Sequence, residues 1–435
     1  MNTLDWKTLD ENQRQAALQR PAINASATRR ETVATLLEKV RRGGDAALFE
    51  LTRELDNVQL DALRVPRSAI DAAAAQLTQE QRNAIETARD TLRRFHAETG
   101  RNELRLETVP GVECRRVVRP LEKVGLYVPG GTAPLPSTTL MLGVPAMLAG
   151  CSEIVLCTPP DRDGKVPAAI LYAAACCGIE TVFAIGGAQA IAAMAFGTES
   201  VPSCDKLFGP GNAWVTEAKQ QVSLDPAGAL IDMPAGPSEV LVIADSSASP
   251  AAVAADLLSQ AEHGPDSQVI LVSLDADLVA AVQREIEAQL AQLPRADTAR
   301  AALQASRIFI ASDREEALAI SNAYAPEHLI INTVDANDDA HWLDGVQHAG
   351  SVFIGPYTPE SLGDYCSGTN HVLPTYGYAR VLGGLSMADF QKSFTVQTAS
   401  RDGLRKLGPV AITLAELEGL DAHARAVSIR LEGVQ

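Results

Sequence analysis

Aromatic residues are scarce in this chain, 4% of the total, and positive charge is in deficit. Asp and Glu number 54 against 37 Lys and Arg, a formal net charge of −17. An acidic surface repels phosphate backbones, and so few rings leave little to stack bases on, so nucleic acid is not an expected partner. No apolar run approaches the ~20 residues of a membrane helix. The opening Met1-Asn2-Thr3-Leu4-Asp5-Trp6-Lys7 is charged early and lacks the apolar stretch of a secretory signal. The seven cysteines are odd in number and include no Cys-x-x-Cys pair. Reduced thiols in a cytoplasmic protein are therefore expected, rather than a disulfide framework. Two motifs are also missing. No G-x-G-x-x-G dinucleotide fingerprint occurs, because Gly209-Pro210-Gly211 runs on to Trp214 where the third glycine belongs. No His-Glu-x-x-His occurs either, which removes the common signature of a zinc hydrolase.

What is present is 435 residues, 46% of them hydrophobic, enough for more than one core. The first hundred residues read as helical, with apolar positions Val33, Leu36, Leu37 and Val40 at helical spacing. Gly43-Gly44 ends that helix and Ala46–Leu55 resumes the pattern. Further helices are expected around Ile70–Leu77 and Gln79–Glu98. Leu104–Val109 and Val112–Val118 read as a hairpin turned by Pro110-Gly111. From Lys123 strands and helices alternate. Strands are expected at Ile154–Cys157, Thr181–Ile185 and Lys206–Phe208, and helices at Thr138–Leu148, Ala168–Cys177, Ala188–Phe196 and Asn212–Val222. A second series takes strands at Glu239–Ala244, Val269–Val272, Ile308–Ile310 and Ser351–Ile354, with helices Pro250–Glu262 and Ala276–Leu293. Such alternation builds parallel sheets covered on both faces. The two units join near Met233-Pro234-Ala235-Gly236-Pro237, and the last ~50 residues read as helix, best formed at Val410–Leu417 and Ala422–Leu431.

Three places carry residue types suited to chemistry. Gln260 and His263, three apart at a helix end, share a face and suit one ion, though a solvated helix end has the same spelling. Glu327 and His328 follow Pro326. A carboxylate beside an imidazole is acid–base machinery if both reach one pocket, and an exposed polar pair otherwise. Glycine turns at Gly125–Gly131, Gly186–Gln189 and Gly209–Asn212 complete the set. The last two fall between a strand and a helix, where backbone N–H groups receive phosphate or merely cap the helix.

Taken together, the strings GLYVPGG (125–131), GPGN (209–212), IDMPAGPSE (231–239), SQAEH (259–263), YAPEHL (324–329) and GDYCSGTNHVLPTY (363–376) resemble the histidinol dehydrogenase family. The likeness spans essentially the whole chain. It implies two incomplete Rossmann-like parallel-sheet domains in a domain-swapped homodimer. The division it suggests is a helical segment over 1–25, a first α/β domain over 26–125 plus 238–381 holding metal and catalytic residues, a second, NAD-binding α/β domain over 126–237, and a helical tail over 382–435. It implies a zinc ion held by Gln260, His263, Asp364 and, from the neighbouring subunit's tail, His423. NAD would be contacted by Tyr127, Gln189 and Asn212. Substrate would be contacted by Ser238, Gln260, His263, Glu327, His328, Asp364, Glu418 and His423.

The implied reaction takes histidinol through the aldehyde to histidine, the last step of histidine biosynthesis, reducing two NAD⁺. His328 would take the hydroxyl proton and Glu327 would activate the water that adds to the aldehyde. Zinc would hold the substrate in register. A rival route captures the aldehyde on a cysteine, with Cys114, Cys151, Cys157 and Cys366 as suspects and Cys366 nearest to Asp364 in sequence. Rival functions are a paralogue oxidising another primary alcohol, such as a sulfonated diol, and a non-catalytic dimeric nucleotide-binding protein. Retention of Glu418, His423 and the Glu327–His328 pair favours histidinol.

Overall fold

The computed structural model describes residues 1–21, 27–130, 133–234, 236–336 and 339–432. Gly131 of the first glycine turn, Ala235 of the expected joint and the expected boundary at 25/26 lie outside them. In chain order the strands among the described residues are β1 (Asn2–Asp5), β2 (Leu104–Val109), β3 (Val112–Pro120), β4 (Lys123–Tyr127), β5 (Glu153–Thr158), β6 (Thr181–Ala184) and β7 (Lys206–Phe208). They continue with β8 (Leu230–Ile231), β9 (Glu239–Ala244), β10 (Gln268–Ser273), β11 (Arg307–Ile310), β12 (His328–Asn332), β13 (Ser351–Ile354) and β14 (Gln391–Ala399).

Two parallel sheets dominate. One orders its strands β6-β5-β4-β7-β8, the other β1-β11-β10-β9-β12-β13, with every pairing parallel. Each residue of β9 and β10 is buried. That accounts for their near-continuous apolar spelling, since helices cover both faces. Each buried Val, Leu or Ile there contributes roughly 1.5–3 kcal/mol by leaving water. The hairpin of β2 and β3 forms at Pro110-Gly111 as expected, and β14 adds to it antiparallel.

Several expectations are corrected. The chain opens with a strand, not a helix: β1 pairs with β11 at the sheet's edge, and Trp6 buries edge-on against Phe309. Four residues are too few to show a period, so only pairing reveals this strand. The tail is likewise not all helix. Gln391–Ala399 is mostly polar and exposed, and it becomes a strand because β3 offers it an open edge. The break expected at Gly43-Gly44 does form: two helices within Ala27–Leu51 meet at a kink at Gly44, whose φ of 52° and ψ of −139° are not helical. The helices between 27 and 96, grouped above with residues 238–381, pack on the other sheet. Val33, Leu37 and Leu48 share a core with Ile191 and Val215, and Ile85 and Leu92 share one with Leu126 and Leu140. Two helices, Ala296–Ala305 and Arg314–Tyr324, and strand β12 had no counterpart in the sequence reading.

Candidate active site

Strand order locates both candidate regions. In the five-stranded sheet the chain lays down β4, β5 and β6 in one direction, then returns to place β7 and β8 on the other side of β4. The reversal between β4 and β7 opens a crevice at their C-terminal ends, where ligands of open α/β sheets bind. Tyr127 ends β4, and Gly209–Asn212 follows β7. Tyr127 accepts a 3.0 Å hydrogen bond on its phenol oxygen from the Gly187 backbone N–H, at the start of helix Gly187–Phe196. Burial pushes that phenol up to about 12. Gln189 is buried, its Nε2 donates to Asp56 over 3.4 Å, and its Oε1 has no partner. Asn212 caps helix Ala213–Leu224, its Oδ1 accepting from the N–H groups of Trp214 and Val215. The structure thus joins Tyr127 and Gln189 through the Gly186-Gly187 turn and sets Asn212 at the next helix start.

The Gly209 turn is held by a pair the sequence reading missed. Lys219 and Asp232 form a buried 2.5 Å ion pair. Lys219 Nζ also donates to the Gly209 carbonyl at 2.7 Å, and Asp232 accepts the Gly209 N–H at 2.8 Å. Gly209 has φ 123°, and a Cβ there would run into the Tyr127 carbonyl oxygen, so this position excludes side chains.

The second region lies on the opposite edge of the other sheet, at the N-terminal ends of β9 and β12. These strands are neighbours with His328 opposite Val240, so Glu327 and Glu239 stand side by side. The backbone N–H of Glu239 donates to Glu327 Oε2 at 2.9 Å. His328 Nδ1 meets the Glu239 carbonyl at 3.0 Å. A carbonyl only accepts, so Nδ1 carries a proton and Nε2 points at Asp364 Oδ1, 3.2 Å away. Helix Pro250–Ala261 leaves the far end of β9 and returns to this edge, carrying Gln260 in its last turn and His263 just beyond. His263 Nδ1 lies 2.9 Å from Ser238 Oγ.

Burial sets the electrostatics. It lifts the Glu327 carboxyl to about 8 against the nearby His328 charge and the Glu239 N–H, which lower it. Burial opposes charge on His328 too, but Glu327, Asp364 and Glu360 outweigh it and push the imidazole up to about 10. His263 is held down by burial. For Asp364 burial acts upward, but the hydrogen bond and charge of His328 prevail and its carboxyl is depressed.

Glu360, at the start of helix Glu360–Tyr365, was not expected in the site. It is 1% exposed, accepts from Ser259 Oγ at 2.5 Å, and is also held by the Gln260 amide. Burial raises it to about 7. In sequence it reads as an ordinary acidic first turn after Pro359, and nothing distinguishes it there. His371 was passed over as well. Its Nδ1 donates to the Asp364 carbonyl at 2.7 Å, and Nε2 lies 3.3 Å from Thr138 Oγ1. Thr138 belongs to helix Pro136–Ala149, the helix that follows β4, so this bond brings the two regions together.

Part of the donor set for a cation is present in one chain. Gln260 is fully buried; its amide group faces the Glu360 carboxylate and helps hold that group's charge, while its Oε1 has no hydrogen-bond partner. An unpaired buried oxygen costs about 1–3 kcal/mol, and an ion on Oε1 would offset part of that. Gln260, His263 and Asp364 supply the oxygen and nitrogen donors that zinc takes. The four-residue set is not complete within one chain. Glu418 and His423 are exposed on the tail, and among the described residues no group of three or more His, Cys, Asp or Glu is arranged to hold a metal. The cysteine suspects fare worse: Cys157 is fully buried and raised well above its usual value, Cys151 rises to about 11 by burial, and Cys366 packs among apolar core residues.

Residues 18–431 match the histidinol dehydrogenase family model. The chain is 57% identical over 431 residues to a histidinol dehydrogenase of Xanthomonas campestris pv. campestris, covering 99% of each. It is 54% identical to that of Vibrio cholerae, covering 100% of this chain and 99% of the other. It superposes on the crystal structure of histidinol dehydrogenase from Elizabethkingia anophelis with a TM-score of 0.95 at 46% identity, covering 100% of this chain and 98% of that one. On these matches the chain belongs to the histidinol dehydrogenase family.

Proposed function

We propose that this chain oxidises histidinol through the aldehyde to histidine, using two molecules of NAD⁺ and one zinc ion in a site shared between two subunits. The observation that carries the reading is the anchoring of Glu327 and His328 on the backbone of Glu239, with His328 Nε2 turned to Asp364. When bound, NAD⁺ accepts hydride and zinc supplies a positive charge that orients the substrate.

The chain's own groups do the proton chemistry. The Glu239 carbonyl keeps the His328 proton on Nδ1, so Nε2 is the nitrogen that takes the substrate's hydroxyl proton. Asp364 opposes this by stabilising a proton on Nε2. Were Asp364 to serve as a ligand to the cation, its hold on a proton at Nε2 would be weaker. Glu327, lifted toward neutrality by burial, is suited to draw a proton from the water that adds to the aldehyde. His328 then serves again as the hydrate is oxidised. Gln260, His263 and Asp364 would hold zinc, with Ser238 fixing the His263 ring so that Nε2 faces the ion. Tyr127, Gln189 and Asn212 line the crevice proposed for NAD⁺, and the Lys219–Asp232 pair keeps its floor in place.

A homodimer accounts for the tail. Val410, Leu414 and Leu417 are more than half exposed on one stretch of helix, and Leu104, Leu106 and Phe394 are about half exposed on the three-stranded sheet. A second copy covering these surfaces would bring Glu418 and His423 to its neighbour's site, where Glu418 complements the substrate's cationic groups. The test is NADH formed per histidinol consumed, before and after chelation. A ratio of two that collapses on metal removal supports the reading; a ratio of one, or indifference to chelation, contradicts it.

A further inference from the structure

We infer that Arg20 is a positioning residue for the Glu327–His328 pair. It lies in the N-terminal segment, far from the pair in sequence and outside every motif considered above. Its Nε and Nη2 pair with the two carboxylate oxygens of Glu239 at 2.5 and 2.8 Å. Glu239 is 2% exposed, and it is the residue whose N–H holds Glu327 and whose carbonyl holds His328.

The same guanidinium reaches the second strand. Nη2 donates to the carbonyls of Tyr324 and Ala325 at 2.8 and 3.2 Å, and the group lies 4.0 Å over the Tyr324 ring. Ala325 sits at φ 56°, a left-handed conformation that a residue with a Cβ adopts at a cost. That turn leads through Pro326 directly into Glu327. Arg20 therefore ties together the two backbone segments whose relative placement sets the catalytic pair. Its own segment is anchored on both sides. The Gln19 carbonyl accepts from Gln268 Nε2 at 3.2 Å, and the Pro21 carbonyl accepts from the Tyr376 hydroxyl at 2.9 Å. Tyr376 closes the circuit, its N–H donating to Glu239 Oε1 at 2.9 Å. Only a planar fork spans two carboxylate oxygens and two carbonyls at once, which an ammonium cannot do.

The inference rests on the reading of Glu327 and His328 as the catalytic pair, and the experiment separates the two. Steady-state kinetics are measured for R20A, R20K and H328N in the full-length, metal-loaded enzyme. R20A is expected to lose kcat about 10–100-fold in both half-reactions, as misplacement of reacting groups does. KM for the dinucleotide and bound metal are expected to stay at parental values, and added guanidinium to restore part of kcat. R20K, which keeps the charge, is expected to remain folded with kcat down about tenfold; it decides the matter if R20A does not fold. Parental kcat in folded R20A or R20K overturns the role of Arg20, as does a loss confined to dinucleotide KM or to metal content. Full activity in H328N would instead overturn the reading of the pair itself.

Discussion

Glu327 and His328 are adjacent in sequence and both are anchored on one residue, Glu239, through different backbone atoms. Its N–H fastens the carboxylate and its carbonyl fastens the imidazole. Removing the charge of Glu327 while keeping its shape should therefore separate the two oxidations. Glu327→Gln is expected to slow aldehyde oxidation about 10²-fold or more, in the range of general base catalysis, and alcohol oxidation much less. Equal losses with the two substrates measured separately would contradict the assignment. His263→Asn is expected to lose metal and activity together, and metal analysis showing a full complement in the inactive variant would remove His263 from the ligand set. Cys366→Ala is expected to leave turnover intact, since that residue packs against the apolar core; a collapse of aldehyde oxidation would revive the covalent route. At this scale the sequence was informative where a residue belonged to a recognisable string. It was silent on Glu360, which lies outside every string and matters through burial, and on the role of His371, which lies inside one but matters through a bond across 233 residues to Thr138.

Elements explain why the two regions sit on opposite edges of their sheets. The glycine turns follow strands β6 and β7, at C-terminal ends, where helix N-termini offer N–H groups. Ser238, Glu239, Glu327 and His328 precede or begin strands, and helix Pro250–Ala261 delivers Gln260 and His263 by its C-terminal end. Strand β12 escaped the sequence reading because Leu329-Ile330-Ile331 is short and flanked by polar His328 and Asn332, all five buried in the middle of a sheet. A turn that excludes a side chain gives a direct test. Gly209→Ala is expected to raise KM for the dinucleotide roughly tenfold or more, the effect of one to three kcal/mol of strain placed on the cofactor's turn, and unchanged binding by titration would show that the turn is not in contact. Helix Gln79–His96 supplies a pH dependence of its own. Burial lowers His96 to about 4, below the ~6.5 of an unfolded histidine. The unfolded chain therefore takes up the proton first, and stability present above about pH 6.5 is lost as pH falls toward 4. Urea unfolding at pH 7 and pH 5 should differ by about 2 kcal/mol from this group, and His96→Gln should remove that part; an identical acid limb in the variant would contradict it.

The whole molecule raises the question of where a site ends. Within one chain the proposed ligand set stops at three residues, and Glu418 and His423 stand exposed on helices beside an uncovered apolar face. If two copies exchange tails, a subunit carrying His423→Ala and one carrying Glu327→Gln are each inactive alone but share one intact site when paired. Mixed dimers are expected to recover up to about half of one dimer's sites, following from twofold symmetry; verified heterodimers with no activity would keep each tail in its own subunit. Sequence alone determined the alternation of strands and helices, the hairpin, the family and the chemical kinds of its site residues, because periodicity and motif strings are local properties of the chain. Tertiary structure decided which sheet each helix covers, that β1 and β14 are strands, that Arg20 reaches Glu239, and which buried groups lack partners. Those depend on contacts between residues hundreds of positions apart, where a strand's identity is set by the edge it meets and a polar group's state by whether anything lies opposite it.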